Sequence, residues 1–391
     1  MAWIPYGAWW CSPFARWQGS LSGFHALELA AHTAKAALAA RGIDPAGLSA
    51  GVLGTTVPQP RSFYGFPWLA GMIGAGDLAG PTIAQACATS ARLLAYARAE
   101  VADGAGALLV LAADRVSNGP HLYYPAPSGP GGTGAAENWV LDNFGLDPHG
   151  GTSMLQTGEN VAALHGISGA EQHDLVLTRY AQYQMALGTF QSRYMTLPFM
   201  LPGRRPPPPL TGDEGVHPST AEGMARLQPV MPGGSITYAG QTHPADGNAG
   251  LVVTDAARAR EMSREPKIAV RIAGIGQARV ARAMMPLAPI PAARAALAQA
   301  GIAVSDLAAV KTHNPFIVND IVLLRETGIA PGILNNYGCS LIWGHPQGPT
   351  GLRCVIELAE ELVLRGGGWG LFTGCAAGDT GMAVVIHVGD A

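Results

Sequence analysis

Two short stretches, Gly42-Ile-Asp-Pro-Ala-Gly-Leu48 and Gly301-Ile-Ala-Val-Ser-Asp-Leu307, echo each other at an offset of 259, from position 42 to position 301. An echo at that distance predicts one supersecondary unit built twice rather than a chain of unrelated parts. The neighbourhoods agree. Around the first copy, His25 to Arg41 carries Leu27, Ala30, Ala31, Ala34 and Leu38 at helical spacing with Gly42 as its cap. Leu48 to Thr56 reads as a buried strand, Cys87 to Val101 as a helix opening at Cys-Ala-Thr-Ser, and Ala107 to Ala113 as a continuous apolar strand. Around the second, a helix near Ala292 to Ala300, a strand at Leu307 to Lys311, a helix from Pro349 to Leu364 and strands at Gly370 to Thr373 and Met382 to Val388 repeat the order. The same offset carries Cys87 onto Pro346, beside His345, so both residues fall at equivalent helix starts. The predicted class is a duplicated α/β fold.

Between the copies, about Arg115 to Gln241 is richer in Gly, Pro and polar residues, with two helices of its own. Ser168-Gly-Ala-Glu171 forms a capping box before one of them, with Leu175, Tyr180, Tyr183 and Leu187 as its buried stripe. The run Leu201-Pro-Gly-Arg-Arg-Pro-Pro-Pro-Pro209 predicts an extended surface segment, because consecutive prolines remove the donors a helix needs. The division follows: 1–114 as the first core half, 115–245 as a loop domain covering the site, 246–391 as the second core half.

At 391 residues with 48% hydrophobic and 13% charged side chains, the chain is long and apolar enough for a large buried core. A net charge of -3 offers no basic surplus for a phosphate backbone, which argues against nucleic acid as a partner. The aromatic start lacks a basic flank and is broken by Pro5 and Pro13, and no window suits a membrane span. Five cysteines without a CxxC pair fit a reducing, cytoplasmic setting and argue against disulfides and a metal site.

Chemistry gathers at a few of these junctions. A thiol at a helix start meets free backbone N–H groups and the positive end of the helix dipole, so Cys87 is expected to lean toward thiolate. Gly344-His345-Pro346-Gln347-Gly348 holds a histidine at a loop-to-helix junction. Gly374-Cys375-Ala376-Ala377-Gly378-Asp379 sets a second cysteine in a glycine-containing turn whose N–H groups suit a developing oxyanion. His313-Asn314-Pro315-Phe316 ends a strand at the edge where open α/β sheets bind ligands. Each also has a plain structural reading, as a small core residue, a capping histidine or a tight hairpin.

Taken together these residues resemble the thiolases, over nearly the whole chain. Ser12-Pro-Phe-Ala-Arg-Trp-Gln-Gly-Ser20, Cys87-Ala-Thr-Ser90, Thr157-Gly-Glu-Asn-Val-Ala162, Leu227-Gln-Pro-Val230 and the Gly-Gly-Ser-Ile-Thr-Tyr-Ala-Gly240 return are all similar to that family, and the GHPxG pattern at His345 is the most specific. The resemblance implies two similar halves in a layered αβαβα arrangement and acyl transfer between coenzyme A thioesters. It implies Cys87 as the acyl-carrying nucleophile, His345 as acceptor of its proton, and Cys375 as the base at the α-carbon of the second acyl group. It further implies coenzyme A as a substrate with no permanently bound cofactor, acyl-CoA as ligand, and a homodimer or homotetramer, with an accessory subunit as one arrangement.

Three departures stand out. His313-Asn-Pro-Phe316 is nearer the sterol-carrier-protein type of thiolase, where His313 is expected to hold the water of the enolate hole. Ala377, beside Gly378, adds a Cβ where an oxyanion donor is needed, which puts that donor in doubt. His243, in Thr242-His-Pro-Ala-Asp246, stands as a further site residue or a core cap. The aromatics Trp3, Trp9, Trp10, Phe63, Tyr64, Phe66, Trp68, Tyr123 and Tyr124 read as core or interface, with a branched or aromatic acyl pocket as the alternative. Two rival readings remain: a decarboxylating ketosynthase, from the Cys-His-His set, and a catalytically silent acyl-CoA-binding subunit, from Ala377 and the His243 segment.

Overall fold

The computed structural model describes residues 1–390. Its organising feature is a pair of matching sheets. In one, the order is Trp9–Cys11, Ala245–Val253, Leu108–Arg115, Ala50–Gly54, Thr82–Ile83. In the other it is Ala2–Pro5, Ile268–Arg279, Thr380–Asp390, Gly368–Ala376, Leu307–His313. Each has a parallel pair, Ala50–Gly54 with Leu108–Arg115 and Leu307–His313 with Gly368–Ala376, followed by an antiparallel return strand. The apolar run Leu108 to Asp114 is buried at every position because it sits at the centre of its sheet with helices on both faces. The opening strand Ala2–Pro5 crosses over and pairs with Ile268–Arg279, so the first half, expected over 1–114, lends a strand to the other sheet.

Two helices lie between the sheets, Thr89–Ala102 and Thr350–Leu364, and fill one continuous core with the inner sheet faces. They start 261 residues apart, from 89 to 350, close to the 259 of the sequence echo. Outside, Ala26–Ala40 and Phe66–Ile73 cover one sheet, and Pro289–Ala300 and Ile317–Thr327 the other. The result is five layers, αβαβα. His25 caps the first of these helices, its ring nitrogen accepting from Leu27 N at 3.2 Å, and Gly42 takes the positive φ of 63° that lets the chain leave it. Among the described residues no helix is long and apolar enough to cross a membrane.

The inserted segment holds four short or medium helices, Leu141–Gly145, Met154–Leu164, Gly169–Ala186 and Ala221–Met224, and a hairpin of His121–Tyr124 with Ala135–Asn138, where two helices were expected. The shortest of these are one turn or little more and carry no legible periodicity. On Gly169–Ala186 the buried face is Gln172, Val176, Arg179, Tyr183 and Ala186, one step round from the expected stripe, and Leu187 is exposed. The shift has a polar cause: Arg179 turns inward to pair with Asp320 at 2.8 Å, and Gln172 is held by Ser235. Ser168 accepts from Glu171 N, but the Glu171 carboxylate leaves the box for Arg325, at 2.7 and 2.8 Å. The proline run after Leu201 has no regular structure and lies mostly at the surface.

The Thr350–Leu364 helix is buried from Thr350 to Leu362, although it carries Arg353, Glu357, Glu360 and Glu361. Burial of such groups is tolerated only with partners. Arg353 holds Asp213 of the inserted segment through both terminal nitrogens, at 2.6 and 2.8 Å, and Glu357 at 3.0 Å. Its guanidinium lies over the rings of Phe14 and Trp343. Glu357 also accepts from Lys311 and Tyr194, and Glu360 from Arg193, Trp9 and Tyr6. Asp213, Arg193 and Tyr194 belong to the insertion, so two buried polar clusters, one at Arg353 and one at Glu360, tie the inserted segment to both core halves.

Candidate active site

The two central helices begin toward a common point, and the loops before them carry the candidate residues. Cys87 lies two residues ahead of Thr89 rather than in the first turn, because Ala86 takes a left-handed φ of 42° and Thr89 closes the turn by accepting from Gln85 N and donating to Ala86 O. His313 ends the Leu307–His313 strand, and His345 sits in the loop that leads to Thr350. The Cys87 sulfur and one ring nitrogen each of His313 and His345 all lie within 4.8 Å of one another. Three side chains far apart in the chain therefore meet.

Each imidazole is anchored on its far side. His345 Nδ1 is 2.7 Å from the Thr350 hydroxyl, and His313 Nδ1 is 3.0 Å from Ser340 Oγ. Ser340 is itself fixed, accepting from Asn314 N and donating to Asn314 Oδ1. Both Nε2 atoms are buried without a protein partner. Burial holds both rings neutral, pushing His313 down to about 3 and His345 well below the usual histidine range, the latter with help from His313.

The His345 loop is clamped to the first half. Its main chain bonds His243 O and Ala245 N, at 2.9 and 3.3 Å. Gly344 has φ 94°, and a Cβ there would meet the His243 ring at 2.7 Å, so only glycine fits. Gly348 N donates to Asp114 Oδ2 at 2.8 Å, and Ser90 donates to Gly348 O. Asp114 accepts also from Thr55, Thr56 and Val57, and burial, partly offset by these bonds, pushes its carboxyl up to about 6.

Cys375 is buried at the end of the Gly368–Ala376 strand, and its sulfur accepts from Asn319 Nδ2 at 3.3 Å. Asn319 Oδ1 takes the Phe316 N–H at 3.3 Å, which fixes which end of the amide faces the thiol. Burial pushes the Cys375 thiol well up, with the neighbouring Cys87 adding to the effect and Asn319 opposing it.

Several expectations change. At the half-buried Cys87 desolvation pushes the thiol up, to about 12, the opposite direction from the one the helix start suggests, with the backbone N–H groups of Ala377 and Cys87 opposing the rise. The Cβ of Ala377 does not strain the turn. The left-handed backbone lies at Gly378 and Asp379, with φ of 77° and 58°, while Ala377 keeps ordinary backbone. Asp379 is held there by the N–H groups of Ala283 and Met284. His243 meets His345 only through its main chain; its half-buried ring packs against Gly344 and Gly215 and stands outside the three-residue cluster. Of the aromatics, Trp9, Trp10 and Phe66 are core, whereas Phe63, Tyr64, Tyr123 and Tyr124 are exposed. Asp114, Asn319, Ser340 and Thr350 escaped the sequence reading; only Asp114, a charge ending a fully apolar run, carried a visible signal.

The profile described as the thiolase N-terminal domain matches residues 10–257, and that of the thiolase C-terminal domain residues 266–388. The chain belongs to the thiolase family. Among similar proteins, an acetyl-CoA acetyltransferase of Paracoccus denitrificans is 29% identical over 382 residues, covering 96% of this chain and 97% of that one. A beta-ketothiolase of Cupriavidus necator is 27% identical, with 94% and 95% covered. The crystal structure of the Bacillus anthracis acetyl-CoA acetyltransferase superposes with a TM-score of 0.90 over 99% of this chain and 98% of that one, at 24% identity. That likeness shows the fold. With the family established, the expectations of a thiolase α/β fold and of an acyltransferase both stand.

Proposed function

We propose that this thiolase cleaves a 3-oxoacyl-CoA with coenzyme A, or runs the reverse Claisen condensation, through an acyl group carried on Cys87. The observation that carries the reading is the meeting of Cys87, His313 and His345 within 4.8 Å, with Cys375 on the neighbouring turn. A protonated thiol facing a neutral imidazole is a general-base pair: His345 takes the proton as sulfur attacks the thioester carbonyl, forming the C–S bond, and returns it to the departing group. The backbone N–H groups of Ala377 and Cys87, which oppose the rise of the Cys87 thiol, suit the oxyanion of that step. After acyl transfer, Cys375 removes or returns the α-proton of the second acyl group, with the Asn319 amide supporting its thiolate. His313, beside His345, belongs to the enolate side.

Segment 115–245 acts in this reading as the cover of the site, pinned by Asp213 to Arg353. Coenzyme A and acyl-CoA are substrates, no cofactor is permanently bound, and the protein is a cytoplasmic homodimer or homotetramer, with an accessory subunit in some assemblies. The exposed Phe63 and Tyr64 suit subunit contact. The test is incubation with coenzyme A and a panel of straight, branched and aryl 3-oxoacyl-CoAs, following loss of the enolate absorbance. Turnover of any member supports the reading, and its absence across the panel, with no radioactive acyl label on Cys87, overturns it.

The Cys-His-His set favours one second reading, a ketosynthase that draws its carbanion from decarboxylation. Cys375 with its dedicated Asn319 donor weighs against it, since such an enzyme needs no second thiol. Decarboxylation of malonyl-CoA without proton exchange on acetyl-CoA would reverse the ranking.

A further inference from the structure

The same three side chains have a property that acyl transfer does not require. Both imidazoles present an unpartnered, buried Nε2, and each is oriented from behind by a hydroxyl on Nδ1, Ser340 for His313 and Thr350 for His345. A metal-binding histidine is held in the same way, its second nitrogen fixed by an outer partner. One thiol and two imidazoles form a ligand set suited to zinc-like divalent ions. Bonds of about 2.0 to 2.3 Å in a tetrahedral site place ligand atoms roughly 3.5 Å apart. The three atoms here lie within 4.8 Å, so a closing movement on the order of 1 Å, with the two rings turning out of their 3.9 Å stack to aim both Nε2 lone pairs at one ion, brings them into range. The cysteine count and spacing spoke against a metal site because the ligands come from three separate points of the chain.

We infer that Cys87, His313 and His345 form a reversible, inhibitory site for a zinc-type divalent cation, open at its fourth position to water. Binding exchanges the Cys87 S–H bond for a sulfur–metal bond and releases one proton to solvent, while each imidazole contributes an Nε2 lone pair. No electron is transferred. An occupied sulfur cannot attack a thioester, so the ion and the acyl group exclude each other. That the ion inhibits rests on Cys87 being the acyl carrier; that it binds does not.

Cobalt is the probe. Added to the metal-free full-length protein at neutral pH, Co2+ should give a thiolate-to-cobalt charge-transfer band and tetrahedral d–d bands, saturating at one ion per chain and displaced by Zn2+. Prior alkylation of Cys87, confirmed by peptide mapping, should abolish the charge-transfer band, as should Cys87→Ala. His313→Asn should weaken affinity at least tenfold, and Ser340→Ala, which keeps all three ligands, by about ten- to a hundredfold. Absence of the bands in the unmodified protein, or their survival in Cys87→Ala, overturns the site; alkylation of the folded wild type decides the matter where a variant fails to fold. Labelling of Cys87 by radioactive acetyl-CoA, run alongside, separates the two readings. A label without cobalt bands leaves the thiolase reading standing and removes the metal site, whereas cobalt bands without a label do the opposite. With both present, stoichiometric Zn2+ should block the label and a chelator restore it.

Discussion

The ring of His313 lies over that of His345, with centroids 3.9 Å apart and planes inclined by 27°. Two imidazoles at that distance cannot both carry charge, and burial holds both neutral. The arrangement leaves two nitrogen lone pairs or N–H groups facing one sulfur, and separating their duties is the main experimental task.

His313 is expected to serve the enolate step more than acylation. His313→Asn retains an amide donor and should keep much of the activity. His313→Ala should slow α-proton exchange on acetyl-CoA by roughly a hundred- to a thousandfold, the usual worth of one oxyanion donor. Deuterium exchange followed by NMR in the three proteins decides it; an Ala variant that exchanges like the parent makes His313 structural.

Cys375→Ala should uncouple the halves of the reaction. Condensation should fall by orders of magnitude while acylation of Cys87 from an acyl-CoA persists. Asn319→Ala, which removes the donor on the Cys375 sulfur at 3.3 Å, should lower condensation by about ten- to a hundredfold, the loss of roughly 1.5 to 3 kcal/mol expected for one hydrogen bond to a charged group. Rapid-quench acylation and steady-state condensation, measured on the same preparations, show whether the two variants share a signature.

The buried histidines also shape acid stability. In the folded chain His313 titrates near 3, while in the unfolded chain it binds a proton below the ordinary 6.5. Between those values the unfolded state holds more protons, so stability rises with pH across this window and is lost on acidification. Asp114 and Asp246, each pushed up to about 6, act in the opposite sense between roughly 4 and 6, where the folded state holds the extra protons. His313→Asn leaves both carboxyls in place. It should narrow the stability difference between pH 7 and pH 5 by about 2 kcal/mol, from 1.36 kcal/mol per unit. Urea midpoints at the two pH values test this, and an unchanged gap would show that His313 is not held neutral.

Asp213→Asn should loosen the cover. It removes the charge facing Arg353, a guanidinium buried completely within the core, and leaves Glu357 as its remaining carboxylate partner. Breaking a buried pair from one side costs about 3 to 5 kcal/mol. Urea unfolding measures the loss, and limited proteolysis should cut first in the 195–215 stretch. Wild-type stability in this variant would mean that the insertion is held by its apolar contacts alone.

The duplicated α/β class, the central strands and helices, and the points carrying Cys87, His313, His345 and Cys375 were all legible along the chain, because periodicity, apolar runs and turn residues are local properties. What those residues do to one another was not. The helix start at Cys87 predicted a depressed thiol, but desolvation by residues from distant parts of the chain pushes it up instead. The Cβ of Ala377 looked obstructive until the turn placed its left-handed residues one and two positions later. The buried stripe of Gly169–Ala186 moved because Arg179 found Asp320, a partner 141 residues away. Ser340 and Thr350 carried no signal at all, since a hydroxyl gains meaning here only from the imidazole that the fold brings to within about 3 Å. Sequence by itself determined which elements form and where reactive side chains sit along them; tertiary structure alone decided protonation, orientation and pairing, because desolvation and hydrogen bonding depend on neighbours that the chain supplies from far away.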